Sequence, residues 1–242
     1  MSVLQYIQES RRVHKPLLAV LLDPDKAEAC EAVFPYLHSA DMVLVGGSTA
    51  TESERLVARL KGLIERPVVL FPGNIEQFAP NADALLFLSM LTARTADVLI
   101  EPHIAVARRV KQSGIETIPM GYILLDGGRS SSVQRATHSM PIAQENVDEV
   151  VRTAVAAELL GKQLLYLEAG SGALKSVFPS VISAVEAATD TPLLVGGGIR
   201  TLRQMTEAYA AGADIVVIGN HFEQHPEQLS MFIEAKNVYA NH

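Results

Sequence analysis

Eight short apolar runs recur along the 242-residue chain, and most of the longer segments between them have the periodicity of amphipathic helices. The runs are almost free of polar residues, which is typical of parallel strands that are covered on both faces. A regular alternation of such strands with helices predicts a (β/α)₈ barrel of the TIM type, and a doubly wound open sheet is the alternative. The predicted strands are LLAVLL (17–22), MVLVG (42–46), VVLF (68–71), ALLFL (84–88), TIPMGYILL (117–125), QLLYLE (163–168), LLVG (193–196) and IVVIG (215–219).

The chain length is typical of one α/β barrel, so residues 1–242 are predicted to form a single domain. The segment between the third and fourth predicted strands is short. It has room for only about one turn of helix, and a turn takes about 3.6 residues. We therefore expect one helix of the barrel to be modified or missing.

Composition excludes several classes of protein. The net charge is −7 and no basic block occurs, which argues against nucleic acid as a partner. The lone Cys30 excludes an internal disulfide and a cysteine-rich zinc site, and we expect it to be a buried small hydrophobe. The sequence contains no signal-like segment and no transmembrane run, so a cytoplasmic location is expected. Because 48% of the residues are apolar, we expect apolar surface that a homo-oligomer would cover.

Glycine-bearing turns follow the last two predicted strands, in VGGGIRT (195–201) and VVIGN (216–220). Glycine allows close approach to the backbone, and the unpaired amides of a helix start attract anions, most often phosphate. The alternative is a tight strand-to-helix turn with nothing bound. If phosphate binds there, Gly197→Val should block it while leaving the fold largely intact. The spacing does not match the dinucleotide-binding fingerprint.

The first two strands end in oxygen-bearing side chains. Asp23 and Asp25 flank Pro24, and Ser48 follows two glycines. Asp25 is predicted to cap the next helix, which leaves Asp23 and Ser48 as candidate ligands of Mg²⁺. An ion with so few protein ligands needs phosphate oxygens to complete its shell, which implies a second phosphorylated ligand.

The sixth strand ends in YLEAGSG (166–172). Tyr166 and Glu168 alternate along the strand, so both are predicted to face the barrel mouth. The glutamate could accept a proton from an attacking alcohol, whereas the alternative is a carboxylate paired with Lys or Arg. The irregular segment 126–141 follows the fifth strand on the same face, where it is either a lid or oligomer contact or a disordered surface loop.

LLDPDK, VGGS, YLEAGSG, VGGGIR and VIGN occur in this order between Pro16 and Asn220. This set resembles the geranylgeranylglyceryl phosphate synthase family, with its heptaprenylglyceryl relatives. The resemblance implies a modified (β/α)₈ barrel that joins sn-glycerol 1-phosphate to a long-chain prenyl diphosphate. The product would be an ether-linked prenylglyceryl phosphate, with diphosphate released.

The resemblance also implies roles for individual residues. Asp23 and Ser48 would bind Mg²⁺, and Glu168 would orient and deprotonate the glycerol hydroxyl. The phosphate would be cradled by Gly197, Gly198, Gly219 and Asn220. The remaining contacts to glycerol phosphate would come from Tyr166, Leu167, Glu168, Ala169, Gly170, Ser171 and Gly172.

Two departures from the family pattern limit this transfer. Some members, notably heptaprenyl-type ones, carry a lysine where this chain has Leu21, which favours the geranylgeranyl subgroup. The segment 126–141 differs from that of many members, so no role is transferred to it. An apolar groove for the prenyl tail could be lined by side chains that would otherwise be plain core, namely Leu85, Phe87, Leu88, Ile104 and Tyr122.

Two rival functions are compatible with the glycine turns. One is a sugar-phosphate isomerase or lyase, which would need a Schiff-base lysine or a second catalytic acid at a strand end. The other is a flavin- or phosphate-binding module without turnover.

Overall fold

The computed structural model describes residues 1–47, 52–74 and 77–240. Within them, parallel strands close into an eight-stranded barrel in chain order, so the predicted barrel is confirmed and the open-sheet alternative is wrong. The strands are β1 (Leu17–Leu22), β2 (Met42–Val45), β3 (Val68–Leu70), β4 (Ala84–Met90), β5 (Glu116–Leu124), β6 (Leu164–Glu168), β7 (Leu193–Gly196) and β8 (Ile215–Ile218).

Helices connect the strands, with one exception. No helix lies in the described residues between β3 and β4, which are 71–74 and 77–83, and this confirms the expected modification of the barrel. A 3₁₀ helix (Phe34–Ser39) extends α2, and another (Pro226–Gln228) precedes the last helix. The α-helices are α1 (Val3–Arg12), α2 (Ala27–Val33), α3 (Ser53–Leu63), α4 (Ala96–Leu99), α5 (Glu101–Ser113), α6 (Ser132–Thr137), α7 (Val147–Leu159), α8 (Pro179–Glu186), α9 (Leu202–Ala210), α10 (Asn220–Gln224) and α11 (Leu229–Tyr239).

Two apolar layers explain why the strands are continuous apolar runs. Along β1, Leu17 and Ala19 belong to the cluster inside the barrel, whereas Leu18 and Val20 belong to the cluster between the strands and the helices. All four side chains are buried. Since successive side chains of a strand point to opposite faces, both faces of each strand must be apolar.

The N-terminal helix α1 covers the amino-terminal end of the barrel. Val3 and Ile7 are buried in the interior cluster. The Glu116 carboxylate accepts hydrogen bonds from the backbone amides of Val3 and Leu4, at 2.7 and 2.9 Å. A carboxylate at a helix start satisfies unpaired amides and interacts favourably with the helix dipole, so Glu116 fixes α1 to the first residue of β5.

An Ala-Asp pair directly precedes three of the strands, and the sequence analysis did not detect this repeat. In each pair the aspartate side chain accepts a hydrogen bond of 2.8 Å from a backbone amide at the start of a neighbouring strand. The acceptor and donor are Asp41 and Leu18, Asp83 and Val68, and Asp214 and Leu193. These bonds satisfy backbone amides at the strand starts. They also connect neighbouring strands at the amino-terminal end of the barrel.

A buried ion pair ties the last helix to the same end of the barrel. Lys236 of α11 donates to Asp41 Oδ2 at 2.5 Å, and both side chains are nearly inaccessible to solvent. Loss of one partner from such a pair leaves a buried charge without compensation. The pair therefore fixes where α11 packs.

Candidate active site

Tyr166 and Glu168 lie on the inward face of β6 and line a cavity at the carboxyl ends of the strands. The predicted direction of both side chains is therefore confirmed. Only 1% of Tyr166 and 7% of Glu168 is exposed. In a barrel this face carries the catalytic groups, because the strand ends converge there.

Burial dominates the electrostatics of Glu168. Loss of solvent raises the pKa of its carboxyl group, although the nearby Tyr166 hydroxyl and a hydrogen bond from the backbone amide of Gly170 lower it in part. The amide of Gly170 lies 2.7 Å from Glu168 Oε1. No Lys or Arg among the described residues forms an ion pair with Glu168, which disfavours the structural alternative. A carboxylate with a raised pKa holds a proton more firmly than an ordinary glutamate and suits a general base.

Three aromatic rings form the floor of the cavity. The ring centroid of Tyr166 lies 5.4 Å from that of Phe71 and 5.4 Å from that of Tyr122, and both pairs have edge-to-face geometry. Burial raises the pKa of both tyrosines well above the usual value, and the Glu168 carboxylate raises it further. Both phenols therefore stay protonated and present hydroxyl groups beside the carboxylate.

Side chains and backbone of β6 and the turn after it pack closely against the glycines of the β7 turn. A Cβ at Gly196 would collide with the Tyr166 hydroxyl, and one at Gly197 would collide with Glu168 Oε1. Gly197 also has φ of +82°, which is strained for any residue with a side chain. The expectation that Gly197→Val leaves the fold largely intact is therefore wrong, because the β6 and β7 turns pack backbone against backbone.

We expect Gly197→Ala to lower the free energy of unfolding by about 1–3 kcal/mol, the usual cost of a left-handed conformation at a residue other than glycine. Denaturant unfolding of the variant and the wild type measures this difference. Gly62→Ala is the matched control, because a Cβ at this position on α3 meets nothing within 4 Å. Equal stability of Gly197→Ala and wild type would contradict the packing described for this turn.

The other predicted substrate-binding residues face three different surroundings. Ser171, Gly172, Gly198, Gly219 and Asn220 line the cavity. Leu167 and Ala169 instead pack in the layer between strands and helices, so only their backbone atoms are available to a ligand. Gly170 faces the segment 126–141, since a Cβ there would lie 2.7 Å from the Cβ of Ser131. Alternation with Tyr166 and Glu168 accounts for the outward direction of Leu167 and Ala169, whereas the residues that line the cavity lie beyond the strand ends.

Asp23 lines the cavity at the end of β1. Burial is the largest influence on its carboxyl group and raises the pKa. Oδ1 accepts a hydrogen bond of 3.2 Å from the amide of Asp25. The predicted helix cap at Asp25 is wrong, because this turn delays the start of α2 and places Lys26 at the N-cap. Cys30 is buried as expected, and burial raises its thiol pKa to about 12.

The chemistry of Asp23 fits a magnesium ion, since a partly buried carboxylate facing a cavity supplies the oxygen ligand that Mg²⁺ prefers. The second predicted ligand, Ser48, lies outside the described residues. Within the described ranges, no cluster of three or more His, Cys, Asp or Glu side chains is arranged around a common point.

The segment 126–141 contributes a wall of the cavity. It contains α6, and Ser132, Val133, Ala136 and Thr137 line the cavity. The buried Gln144 follows this segment along the chain and holds its first residue, Asp126. Its amide nitrogen donates to the carbonyl of Asp126 at 2.9 Å, and its Oε1 accepts from the amide of Phe178 at 2.7 Å. The segment is therefore a wall of the site, with a helix of its own, rather than a disordered surface loop, and its role as a lid or oligomer contact stays a prediction.

We expect Gln144→Leu to lower the free energy of unfolding by about 1–3 kcal/mol, because it removes the hydrogen bonds that this buried side chain makes to the backbone of Asp126 and Phe178. Thermal unfolding checks this value. The exposed Gln112→Leu on α5 is the control for added hydrophobicity. A variant as stable as wild type would show that Gln144 does not hold the wall.

An apolar cleft continues the cavity beyond the barrel mouth. It runs along the outer face of β4, over which the described residues between β3 and β4 place no helix, and α5 forms its other side. Of the predicted groove residues, Leu85 and Phe87 line this cleft, whereas Leu88 and Tyr122 line the cavity from inside the barrel. Ile104 does not, because 63% of it is exposed on the opposite side of α5.

Several residues that line the cavity were not predicted from the sequence. His103 of α5 forms a hydrogen bond of 2.8 Å with the carbonyl of Leu88, and its ring packs edge-on against Phe87 at 4.5 Å. Gln77, although buried, donates to the carbonyl of Gly47 at 2.7 Å. The further polar residues that line the cavity are Lys26, Asn74, Asp97, Arg200, His221 and Glu223. Neither motif spacing nor strand position identifies these side chains, since they come from helices and long turns.

The fold is a closed (β/α)₈ barrel, and its cavity joins a polar site at the strand ends to an apolar cleft. These features define the class of protein as a barrel with a cavity for an amphiphilic ligand. The comparisons with known proteins narrow this class. The chain belongs to the PcrB family, whose model matches residues 9–236.

Relatives and solved structures agree with this assignment. The chain is 45% identical to geranylgeranylglyceryl phosphate synthase of Zunongwangia profunda, over 92% of this chain and 97% of the relative. It is 38% identical to the synthase of the same name from Pyrococcus abyssi, over 92% and 90% of the two chains. The structure matches the crystal structure of (S)-3-O-geranylgeranylglyceryl phosphate synthase from Thermoplasma acidophilum in complex with sn-glycerol-1-phosphate. That match has a TM-score of 0.89 and 30% identity, and it covers 97% of this chain and 98% of the other.

Across residues 1–47, 52–74 and 77–240, none of the helices combines the length and the apolar character needed to cross a membrane.

Proposed function

We propose that this protein transfers a long-chain prenyl group, geranylgeranyl by preference, from its diphosphate to sn-glycerol 1-phosphate. The observation that carries the proposal is the continuity of one cavity of about 560 Å³, which joins the glycine turns to the apolar cleft. Its volume lies within the range of about 300–1,000 Å³ for ligand sites. The names of the relatives and the substrate bound in the Thermoplasma acidophilum structure support the same activity.

Glycerol phosphate is proposed to bind at the ends of β6, β7 and β8. Backbone amides of the glycine turns would bind the phosphate, because Gly197, Gly198 and Gly219 line the cavity without side chains that would block its approach. Glu168 would accept a hydrogen bond from the attacking hydroxyl group. Its position beside Tyr166 and Tyr122 allows it to hold the alcohol while the apolar floor excludes water.

The prenyl tail is proposed to occupy the cleft between β4 and α5. Phe78, Phe87, Val106 and Val110 give this part of the cavity an apolar lining. Burial of a long hydrocarbon tail contributes about 0.8 kcal/mol per CH₂ group, so the cleft would supply most of the binding free energy of this substrate. The diphosphate would then lie near Asp23, at the junction of the cleft and the barrel mouth.

The transfer step forms one carbon–oxygen bond and breaks another. The glycerol hydroxyl oxygen bonds to carbon 1 of the prenyl chain, Glu168 takes the hydroxyl proton, and diphosphate leaves with the electron pair of the broken bond. Mg²⁺, which we propose as the cofactor at Asp23 and Ser48, would stabilise the charge on diphosphate when bound. The protein mainly positions the alcohol and shields the reacting carbon from water.

The test is incubation of the purified protein with Mg²⁺, sn-glycerol 1-phosphate and prenyl diphosphates of several chain lengths, with product masses measured. We expect an ether-linked product with the 20-carbon chain preferred and diphosphate released in equal amount. A control with sn-glycerol 3-phosphate checks the stereochemistry of the acceptor. Absence of prenylglyceryl phosphate with every donor would overturn the proposal.

We also propose that the protein is a cytoplasmic homo-oligomer. Large apolar side chains remain exposed on its surface, including Leu159 at 83% and Leu160 at 71%, both at the end of α7. Exposed apolar groups of this size commonly mark contacts between subunits. Light scattering during size-exclusion chromatography measures the oligomeric state, and fractionation of cells checks the location.

A further inference from the structure

Lys26 lies where the turns after β1 and β8 meet, and it lines the same cavity as Asp23 and Asn220. Its ammonium group donates to Glu223 Oε2 at 2.6 Å and to Asn220 Oδ1 at 3.3 Å. The amide nitrogen of Asn220 donates in turn to Ser171 Oγ at 3.0 Å. One chain of polar side chains therefore connects the ends of β1, β8 and β6 across the barrel mouth.

Glu223 holds the ammonium group of Lys26 in place. Only 7% of the Glu223 side chain is exposed, whereas 42% of the Lys26 side chain is. An ammonium group has three donors, and Glu223 and Asn220 engage two of them within the described part of the chain. A third donor remains for a ligand in the cavity. A lysine that is already held in position loses less conformational entropy when it binds such a ligand.

The phosphate of the acceptor substrate needs a positive charge near the β8 turn. Helix α10 spans only the five residues Asn220–Gln224, so its dipole supplies little of that charge. A phosphate dianion in a partly buried site is stabilised most by charge-assisted hydrogen bonds. Lys26 reaches the side chain of Asn220 directly, which places its charge at this turn.

The other basic side chains that line the described cavity contact other groups, and none is bonded to the Gly219–Asn220 turn within the described residues. Arg200 donates to the carbonyl groups of Ala173, at 2.6 Å, and Gly198, at 3.4 Å. His103 is bonded to a carbonyl group in the apolar cleft. Burial lowers the pKa of His221, which keeps that ring neutral near pH 7. Lys26 is thus the basic residue best placed to meet a phosphate oxygen.

We propose that Lys26 binds the phosphate of sn-glycerol 1-phosphate at the Gly219–Asn220 turn and that Glu223 positions it there. This inference rests on the proposed function and adds to it a residue outside the glycine turns. It also accounts for Glu223, a nearly buried carboxylate at the barrel mouth whose contact with Lys26 would otherwise be only a surface ion pair.

The test is calorimetric titration of sn-glycerol 1-phosphate into wild type, Lys26→Met and Lys26→Arg. We expect the dissociation constant to rise about 10- to 100-fold in Lys26→Met, the usual effect of losing a charged hydrogen bond, and to recover largely in Lys26→Arg. Lys61→Met is the matched control. Lys61 is 41% exposed and pairs with Asp83 at 2.5 Å away from the cavity, so this variant removes the same charge without affecting binding.

A double variant separates phosphate binding from mere neutralisation of Glu223. Lys26→Met with Glu223→Gln removes both charges and leaves no unpaired carboxylate, and we expect it to bind as weakly as Lys26→Met alone. Recovery of wild-type affinity in the double variant would overturn the inference. An unchanged dissociation constant in Lys26→Met would do so too, even if its KM for prenyl diphosphate rose, since Lys26 would then serve the diphosphate.

Wild-type binding decides which proposal has failed. If wild type binds sn-glycerol 1-phosphate and Lys26→Met binds it equally well, only the role of Lys26 is wrong. If wild type shows no binding, the proposed function fails and this inference fails with it.

Discussion

Glu168→Gln should lower the single-turnover rate at saturating glycerol phosphate by about 10²-fold, near the lower end of the range for a general base. The side chain keeps its shape and can still accept one hydrogen bond from the amide of Gly170, which lies 2.7 Å from Oε1. It can no longer take a proton. The loss stays near the lower end because an allylic carbon ionises readily, so the attacking alcohol needs less assistance.

The pH dependence of the rate gives a second measurement on the same variant. Burial raises the pKa of Glu168, and the group acts as a base only when it is ionised. The wild-type rate should therefore fall as the pH drops through this raised pKa, at a higher pH than for an ordinary glutamate. Glu168→Gln should lack this acid limb, and Glu149→Gln should retain it, because the half-buried Glu149 pairs with Arg94 outside the cavity lining.

Calorimetry separates the two roles of Glu168. A near-normal saturated rate with weaker binding of glycerol phosphate would reduce Glu168 to a residue that holds the substrate. Normal values of both would exclude it from the site.

Asp23→Asn should lower turnover by about 10²–10³-fold, while the dissociation constant for glycerol phosphate changes little. Loss of electrostatic stabilisation of a leaving group has an effect of this size. The carboxylate lines the cavity next to Gly47 at the end of β1, and β8 lies between this strand and the β7 turn. Turnover as a function of Mg²⁺ concentration, together with calorimetry for glycerol phosphate, measures both quantities.

Asp25→Asn is the matched control for Asp23→Asn, because it removes the same charge two residues away and outside the cavity lining. We expect it to retain most of the turnover. An unchanged response of Asp23→Asn to Mg²⁺ would remove Asp23 from the proposed metal site, and a large loss in Asp25→Asn would show that net charge alone accounts for the effect.

Strand positions could be predicted from the sequence because most strands are buried on both faces. A run such as LLVG (193–196) has no polar position that could be mistaken for a surface, and the structure reproduces its bounds. The directions of Tyr166 and Glu168 followed from alternation along one strand. The same alternation also turns Leu167 and Ala169 away from the cavity, although the family motif includes them.

Residues outside the strands could not be predicted in this way. The start of α2 depends on a hydrogen bond between the Asp25 amide and the Asp23 side chain, which sequence preference for helix caps does not reveal. His103 and Lys26 reach the cavity from a helix and a helix start, and their contacts come from distant parts of the chain. Such long-range contacts leave no periodic pattern in the sequence.

The three Ala-Asp pairs at the amino-terminal end have a consequence for how this protein can change over time. They hold Asp41, Asp83 and Asp214 against neighbouring strand starts, a full strand length away from Glu168. The hydrogen bonds that join the strands lie at the amino-terminal end of the barrel, whereas the cavity lies at the carboxyl end. Substitutions around the cavity can therefore alter ligand preference without breaking these hydrogen bonds. The two ends of the barrel should therefore differ in the substitutions that they tolerate. New ligand specificities should arise at the carboxyl end, while the residues that stabilise the fold are retained at the amino-terminal end.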